Sequence, residues 1–115
     1  MNLETVFNFI KEKRGYDYPI RYKFINGMVL TDEDLNIDGD LDLSKTNITT
    51  LPNNIHVGGD LDLSFTKIKS LPNNLRVERD FFLLKTPLYE KYDEDDIRKM
   101  IEDKGGYING EIYWW

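Results

Sequence analysis

Cysteine is absent from the 115-residue chain. Disulfides and thiolate metal sites are therefore excluded, and the reducing cytoplasm is the expected compartment. Histidine occurs once, at His56, which excludes a multi-histidine metal centre. No glycine-rich phosphate loop of the GxxxxGK type is present. No apolar run approaches the roughly 20 residues that span a bilayer, and Glu4 falls before any apolar run can form, so neither a signal peptide nor a membrane partner is expected. His56 could be paired with Ser44 or Ser64 as base and nucleophile. Both serines, however, belong to a repeated template. No catalytic, cofactor-binding or metal-ligating residue is assigned, and the chain is not expected to be an enzyme.

Hydrophobic residues make up 40% of the sequence, enough for one packed interior and a single domain over 1–115. The net charge of −6 is unevenly spread. Residues 25–64 carry eight acids against Lys45 alone, whereas residues 65–89 carry five bases against two acids. An acidic middle disfavours direct nucleic-acid binding, because cationic contacts to phosphate supply much of that affinity. It favours a basic protein surface.

The strongest signal is internal repetition. Residues 40–59 read DLDLSKTNITTLPNNIHVGG and residues 60–79 read DLDLSFTKIKSLPNNLRVER, with 12 of 20 positions identical and no gap. A third copy starts at Asp80 and loses the pattern after Leu88. A degenerate leading copy, Met28 to Gly39, aligns under Ile48 to Gly59. Self-similarity at this period marks a solenoid. Leu61 and Leu63 alternate with Asp60, Asp62 and Ser64, as in a strand with one buried face. Ile68, Leu71, Leu75 and Val77 complete the inward set, and Pro72-Asn73-Asn74 turns the chain. The columns predict an α+β fold: a short right-handed leucine-rich-repeat-like solenoid of 20-residue coils with parallel strands.

The repeat region spans 31–88, and 1–30 and 89–115 read as caps covering its two ends. Asn2 suits the N-cap of a helix over 3–13. Tyr18–Ile25 and Met28–Leu30 flank Asn26-Gly27, which predicts a hairpin. Asp93 to Asp96 open a second helix that Lys104 closes before Gly105-Gly106. Tyr107-Ile108 and Glu111 to Tyr113 around Asn109-Gly110 predict a short second hairpin.

The run LPNNIHVGGDLDLSFTKIKSLPNNL, together with GGYINGEIYWW at 105–115, resembles short leucine-rich-like repeat proteins of bacteriophages. Their coils read roughly LPxNLxVxGDLDLxxTxI and end in a helix followed by GYIxGxIY. The resemblance covers about residues 28–115. It implies a phage-encoded, non-enzymatic cytoplasmic protein, and brings no catalytic residue with it.

Asp40 and Asp42 are expected on the outer side of one strand, with Asp60 and Asp62 directly above and Asp38 nearby. Like charges side by side in a sheet repel, so the stack either serves a cationic partner or is absorbed by turn chemistry. In the turn alternative the first Asp of each coil accepts backbone hydrogen bonds and the second is solvated. Residues 38–42, DGDLD, also match half a calcium loop, but Leu43 and Thr49 stand where glycine and glutamate are needed. Phe65 lies in an outward column between Lys45 and Lys85 and suits an interface centre. Phe82 and Leu84 replace outward polar residues and are expected under the C-terminal helix, the alternative being an apolar binding patch. Trp114 and Trp115 are expected against the last coil, the alternative being a binding role. The expected partner-binding set is Asp38, Asp40, Asp42, Asp60, Asp62 and Phe65. The function expected is a protein–protein interaction module, an anti-CRISPR-like inhibitor of a host defence nuclease complex that sets an acidic face into a basic groove. The alternative is a structural repeat protein that homo-oligomerises.

Overall fold

The computed structural model describes residues 19–115. The expected helix over 3–13 lies outside them. The fold is α+β, built on two small parallel sheets. Helix α1 (Ile20–Ile25) precedes strands β1 (Asn36–Ile37), β2 (Leu41–Asp42), β3 (His56–Val57), β4 (Leu61–Asp62), β5 (Arg76–Val77) and β6 (Phe81–Phe82). Helices α2 (Pro87–Lys91) and α3 (Glu94–Asp103) follow, then β7 (Tyr107–Ile108) and β8 (Ile112–Tyr113). One sheet has the order β1-β3-β5-β7 and the other β2-β4-β6-β8. Among the described residues, no helix is long and apolar enough to cross a membrane.

Register follows the repeat. Asn36 pairs with His56 and His56 with Arg76, while Leu41 pairs with Leu61 and Leu61 with Phe81. Each strand is only two residues long, so neither sheet is stable without the layer beneath it. The apolar columns meet between the sheets. Leu61, Leu63, Ile68, Leu75 and Val77 have no accessible surface, and Leu71 retains 6%. Leu43, Ile55 and Val57 sit in the coil before, and Phe81 and Leu83 in the coil after, all at 0%. Burying each such side chain contributes about 1.5–3 kcal/mol.

Among the described residues neither predicted hairpin forms, and Tyr18, where the first was expected to begin, lies outside them. Asn26-Gly27 ends α1 instead of joining two strands. Gly27 takes φ +62, its N–H meets the Phe24 carbonyl at 3.5 Å, and the Met28 N–H meets that of Lys23 at 3.1 Å. That is the left-handed glycine closure of a helix. A type I′ hairpin also wants a residue with positive φ, so the same dipeptide serves either structure. Lys104-Gly105 ends α3 in the same way, with Gly105 at φ +85 and the Gly106 N–H on the Ile101 carbonyl at 2.9 Å. The start of α3 fulfils the sequence expectation, since the Asp93 side chain accepts from the Asp96 N–H at 2.9 Å.

At the other expected hairpin, β7 and β8 do not pair with each other. Tyr107 pairs with Arg76, Ile108 with Val77, Ile112 with Phe81 and Tyr113 with Phe82, all in parallel. The segment is a fourth layer, displaced by 31 residues instead of 20 because α2 and α3 intervene. Ile108 and Ile112, at 5% and 2% accessible, extend the apolar columns.

Two arginines finish the ladders. In the inner coils, the carbonyls of Asp62 and Ser64 accept from the N–H groups of Leu43 and Lys45. The corresponding carbonyls one layer lower, those of Asp42 and Ser44, accept from the Arg21 guanidinium at 2.6 and 3.2 Å. At the far end Arg98 donates to Ile108 and Gly110 carbonyls at 2.8 and 3.0 Å. Each fork stands in for two amides that another layer would have supplied, so these four strand-edge acceptors are not left bare.

Candidate functional site

Four of the expected binding residues converge. β2 and β4 pair Asp42 with Asp62, and Asp40 and Asp60 form the neighbouring column. Asp40, Leu41, Asp42, Asp60, Asp62 and Phe82 line a shallow concavity of about 200 Å³. Layers of a sheet lie about 4.8 Å apart and alternate residues along a strand roughly 6.7 Å apart. Asp38 and Phe65 are not among the lining residues. Asp38 follows β1 on the turn between the two sheets, and Phe65 lies beyond β4 at the next corner.

The carboxylates have structural partners, and these partly correct the turn alternative. Asp40 Oδ1 accepts from the Asp60 N–H at 2.7 Å, Asp60 Oδ1 from the Asp80 N–H at 2.9 Å, and Asp80 Oδ1 from the Glu111 N–H at 2.9 Å. The first Asp of each coil therefore binds the backbone of the next coil, not of its own turn. The second Asp is not merely solvated. Asp62 Oδ1 accepts from the Ser64 N–H at 2.9 Å, and Asp42 Oδ1 from both the Ser44 N–H (2.9 Å) and hydroxyl (2.6 Å). The Ser44 hydroxyl and amide hold the Asp42 carboxyl below its ordinary value, with Arg21 at 3.7 Å assisting. One oxygen of each aspartate thus serves the fold, and the Asp42 side chain remains 64% exposed.

The column begun by Asp42 and Asp62 continues as Phe82 and Tyr113. Their rings stack at 5.0 Å with 19° between planes. Phe82 is therefore covered by the fourth layer and not by the C-terminal helix. Tyr113 was missed as its cover because the fourth layer was read as a hairpin. Aligning YINGEIYWW beneath RVERDFFLL would have found it. Leu84 lines a groove of about 480 Å³ with Lys85, Thr86, Tyr89, Glu90, Trp114 and Trp115. Trp114 stacks on Tyr89 at 5.5 Å, yet Trp114 and Trp115 keep 51% and 70% of their surface exposed. The expected packing of both against the last coil is thus only partial.

On the other sheet Glu78 gathers contacts that the sequence did not flag. Tyr107 donates to its carboxylate at 2.6 and 2.8 Å, and His56 Nε2 lies 3.4 Å away. The Tyr107 hydroxyl is the main reason the Glu78 carboxyl sits below its usual range, and Glu78 in turn raises Tyr107. Near the N-terminal end Lys23, 5% accessible, donates to Asp34 at 3.0 and 3.1 Å.

Lys45, Phe65 and Lys85 occupy one corner of three successive layers, with φ +59, +58 and +52. The left-handed region costs a residue with a Cβ about 1–2 kcal/mol. The other left-handed corner is filled by Asn54, Asn74 and Gly105, residue types that tolerate it. Phe65 is 51% exposed. No family model, curated protein or solved structure matches the chain.

Proposed function

We propose that the chain is a non-catalytic protein-binding module: a short leucine-rich-repeat-like solenoid of the bacteriophage type. Its acidic face occupies a basic groove of a nucleic-acid-handling partner, such as a host defence nuclease complex in the host cytoplasm. The observation that carries this reading is the paired columns Asp40–Asp60 and Asp42–Asp62, four carboxylates on adjacent layers of one face. Intra-protein bonds occupy one oxygen of each side chain. The second oxygen is left for a partner's cations, and the column spacing approximates that of phosphates along one nucleic-acid strand.

Asn at positions 40, 42, 60 and 62 keeps the Oδ1 acceptor and removes the charge, so the fourfold variant should fold. Titration with an arginine-rich polypeptide such as protamine should then show affinity lower by tenfold or more, about 1.4 kcal/mol. Unchanged affinity would overturn the acidic-face mechanism. Sedimentation of the same samples separates this from self-assembly, since a dimer lost on deleting Trp114 and Trp115 would favour the assembly role.

A further inference from the structure

We propose that the corner ridge Lys45–Phe65–Lys85, continued by the tryptophan groove, binds single-stranded nucleic acid. This goes beyond the acidic-face reading and uses a different leg of each coil.

The first support is conformational. Three successive layers put Lys, Phe and Lys in the left-handed region, while the sister corner uses Asn, Asn and Gly. Backbone geometry alone would be served better by asparagine or glycine at the first corner too. What the side chains present to solvent accounts for their being there, in line with strain held at functional positions.

The second support is chemical. Thr66 and Ile68 are buried at 4% and 0%, so the alternating Phe65, Lys67 and Lys69 leave the coil on its solvent side. No acid occurs in 45–51 or 65–71, and the third stretch of this leg, 85–91, carries one, Glu90. The eight acids of residues 25–64 all precede Lys45 or follow Val57. Lys85 also lines the groove with Tyr89, Glu90, Trp114 and Trp115, where two indoles, 51% and 70% exposed, offer flat faces beside one lysine and one acid. Cations tracking a backbone beside aromatic platforms are what unpaired bases and their phosphates require. A base stacked on Phe65 would leave its flanking phosphates beside Lys45 and Lys85, one layer away on either side. Duplex is not favoured, because paired bases present no free faces to the rings.

The test is fluorescence anisotropy of the full chain with labelled oligothymidylate and oligouridylate of about 12 nucleotides at about 50 mM salt. Saturable binding of either is expected, and comparing the two distinguishes DNA from RNA as the preferred strand. Phe65→Ala, at an exposed position, should weaken binding by about fivefold or more. Replacing Lys45, Lys67, Lys69 and Lys85 with Gln should flatten a salt slope of about −3, from roughly −0.7 per neutralised phosphate. The Asn variant at positions 40, 42, 60 and 62 should bind the oligonucleotides at least as tightly as the parent chain. Failure of the acidic-face reading is thereby distinguishable from failure here. Absence of binding by both oligonucleotides would overturn the proposal. So would polyglutamate binding as tightly as the oligonucleotides with no effect of Phe65→Ala, since an acidic polypeptide would then be the better ligand.

Discussion

Removing the carboxylate of Asp60 separates two roles that a stacked aspartate can have. Asp60 Oδ1 accepts from the Asp80 N–H at 2.9 Å, and the Asp60 N–H in turn donates to Asp40 Oδ1 at 2.7 Å. A hydrogen bond to a charged group contributes about 1.5–3 kcal/mol. Against it stands repulsion from like charges in neighbouring layers, about 0.2–1 kcal/mol for each pair. Asp60→Ala loses the bond and relieves the repulsion, a net loss of about 1–2 kcal/mol at neutral pH. Asp60→Asn keeps an acceptor oxygen and also relieves the repulsion, so it should lie within about 0.5 kcal/mol of the parent. For 115 residues, at roughly 2.1 cal/mol/K each, the alanine variant should melt about 4–8 °C lower. Thermal unfolding followed by tryptophan fluorescence and far-ultraviolet dichroism reads both variants. Equal melting of Asp60→Ala and the parent would refute the inter-layer bond as a stabilising contact. Equal destabilisation of both variants would show that charge, not the acceptor, matters.

Arg98→Met keeps much of the side chain's length but withdraws both donors from the Ile108 and Gly110 carbonyls. A loss of about 1–3 kcal/mol in urea unfolding is expected, with the fourth layer exchanging its amides fastest; unaltered amide exchange at Asn109 and Ile112 would argue against the fork as an end cap. Acid should destabilise the protein through carboxyls held below their ordinary values. Burial pushes Asp34 up, but the Thr31 amide and Lys23 outweigh it, and Asp42 and Glu78 are also lowered. Their stabilisation is therefore complete above the ordinary values of 3.8 for Asp and 4.5 for Glu, and is lost as pH falls through the lower folded-state values. Asp34→Asn should flatten the pH dependence of urea unfolding below about pH 4, and an unaltered acid limb would refute the Lys23–Asp34 contribution.

The layered register was legible because the identical columns Leu61, Leu63, Leu71 and Val77 admit only one alignment with residues 40–59. Shifting a strand by one residue would turn Leu61 outward and Asp62 inward. The misreadings share one cause. Asn26-Gly27 and Asn109-Gly110 carry a strong local turn signal, and local signals do not report which distant segment competes for the flanking residues. Ile20–Ile25 coils because Gly27 closes it as a helix, with Phe24 sent into the core at 9% accessibility. Tyr107–Tyr113 stays extended because Ile108 and Ile112 cover Val77 and Phe81, an apolar gain that a two-stranded hairpin cannot match. The four-aspartate face followed from periodicity alone. Its hydrogen bonds did not, since whether Asp60 bonds within its own turn or to the layer above depends on the rise between layers. The Glu78–Tyr107 contact was illegible for a related reason, because it crosses the 31-residue step.

The two guanidinium forks have a bearing on how such a molecule can change its length. Arg21 and Arg98 each grip a pair of carbonyls that recurs in every layer at the same place, so neither terminator registers how many rungs lie between them. Duplication or deletion of a whole twenty-residue unit would leave both ends fitted, whereas a one-residue change within a strand would turn that layer's apolar residues outward. Growth by integral steps, or by extra segments looped out between layers as α2 and α3 are, thus leaves the stacked columns intact.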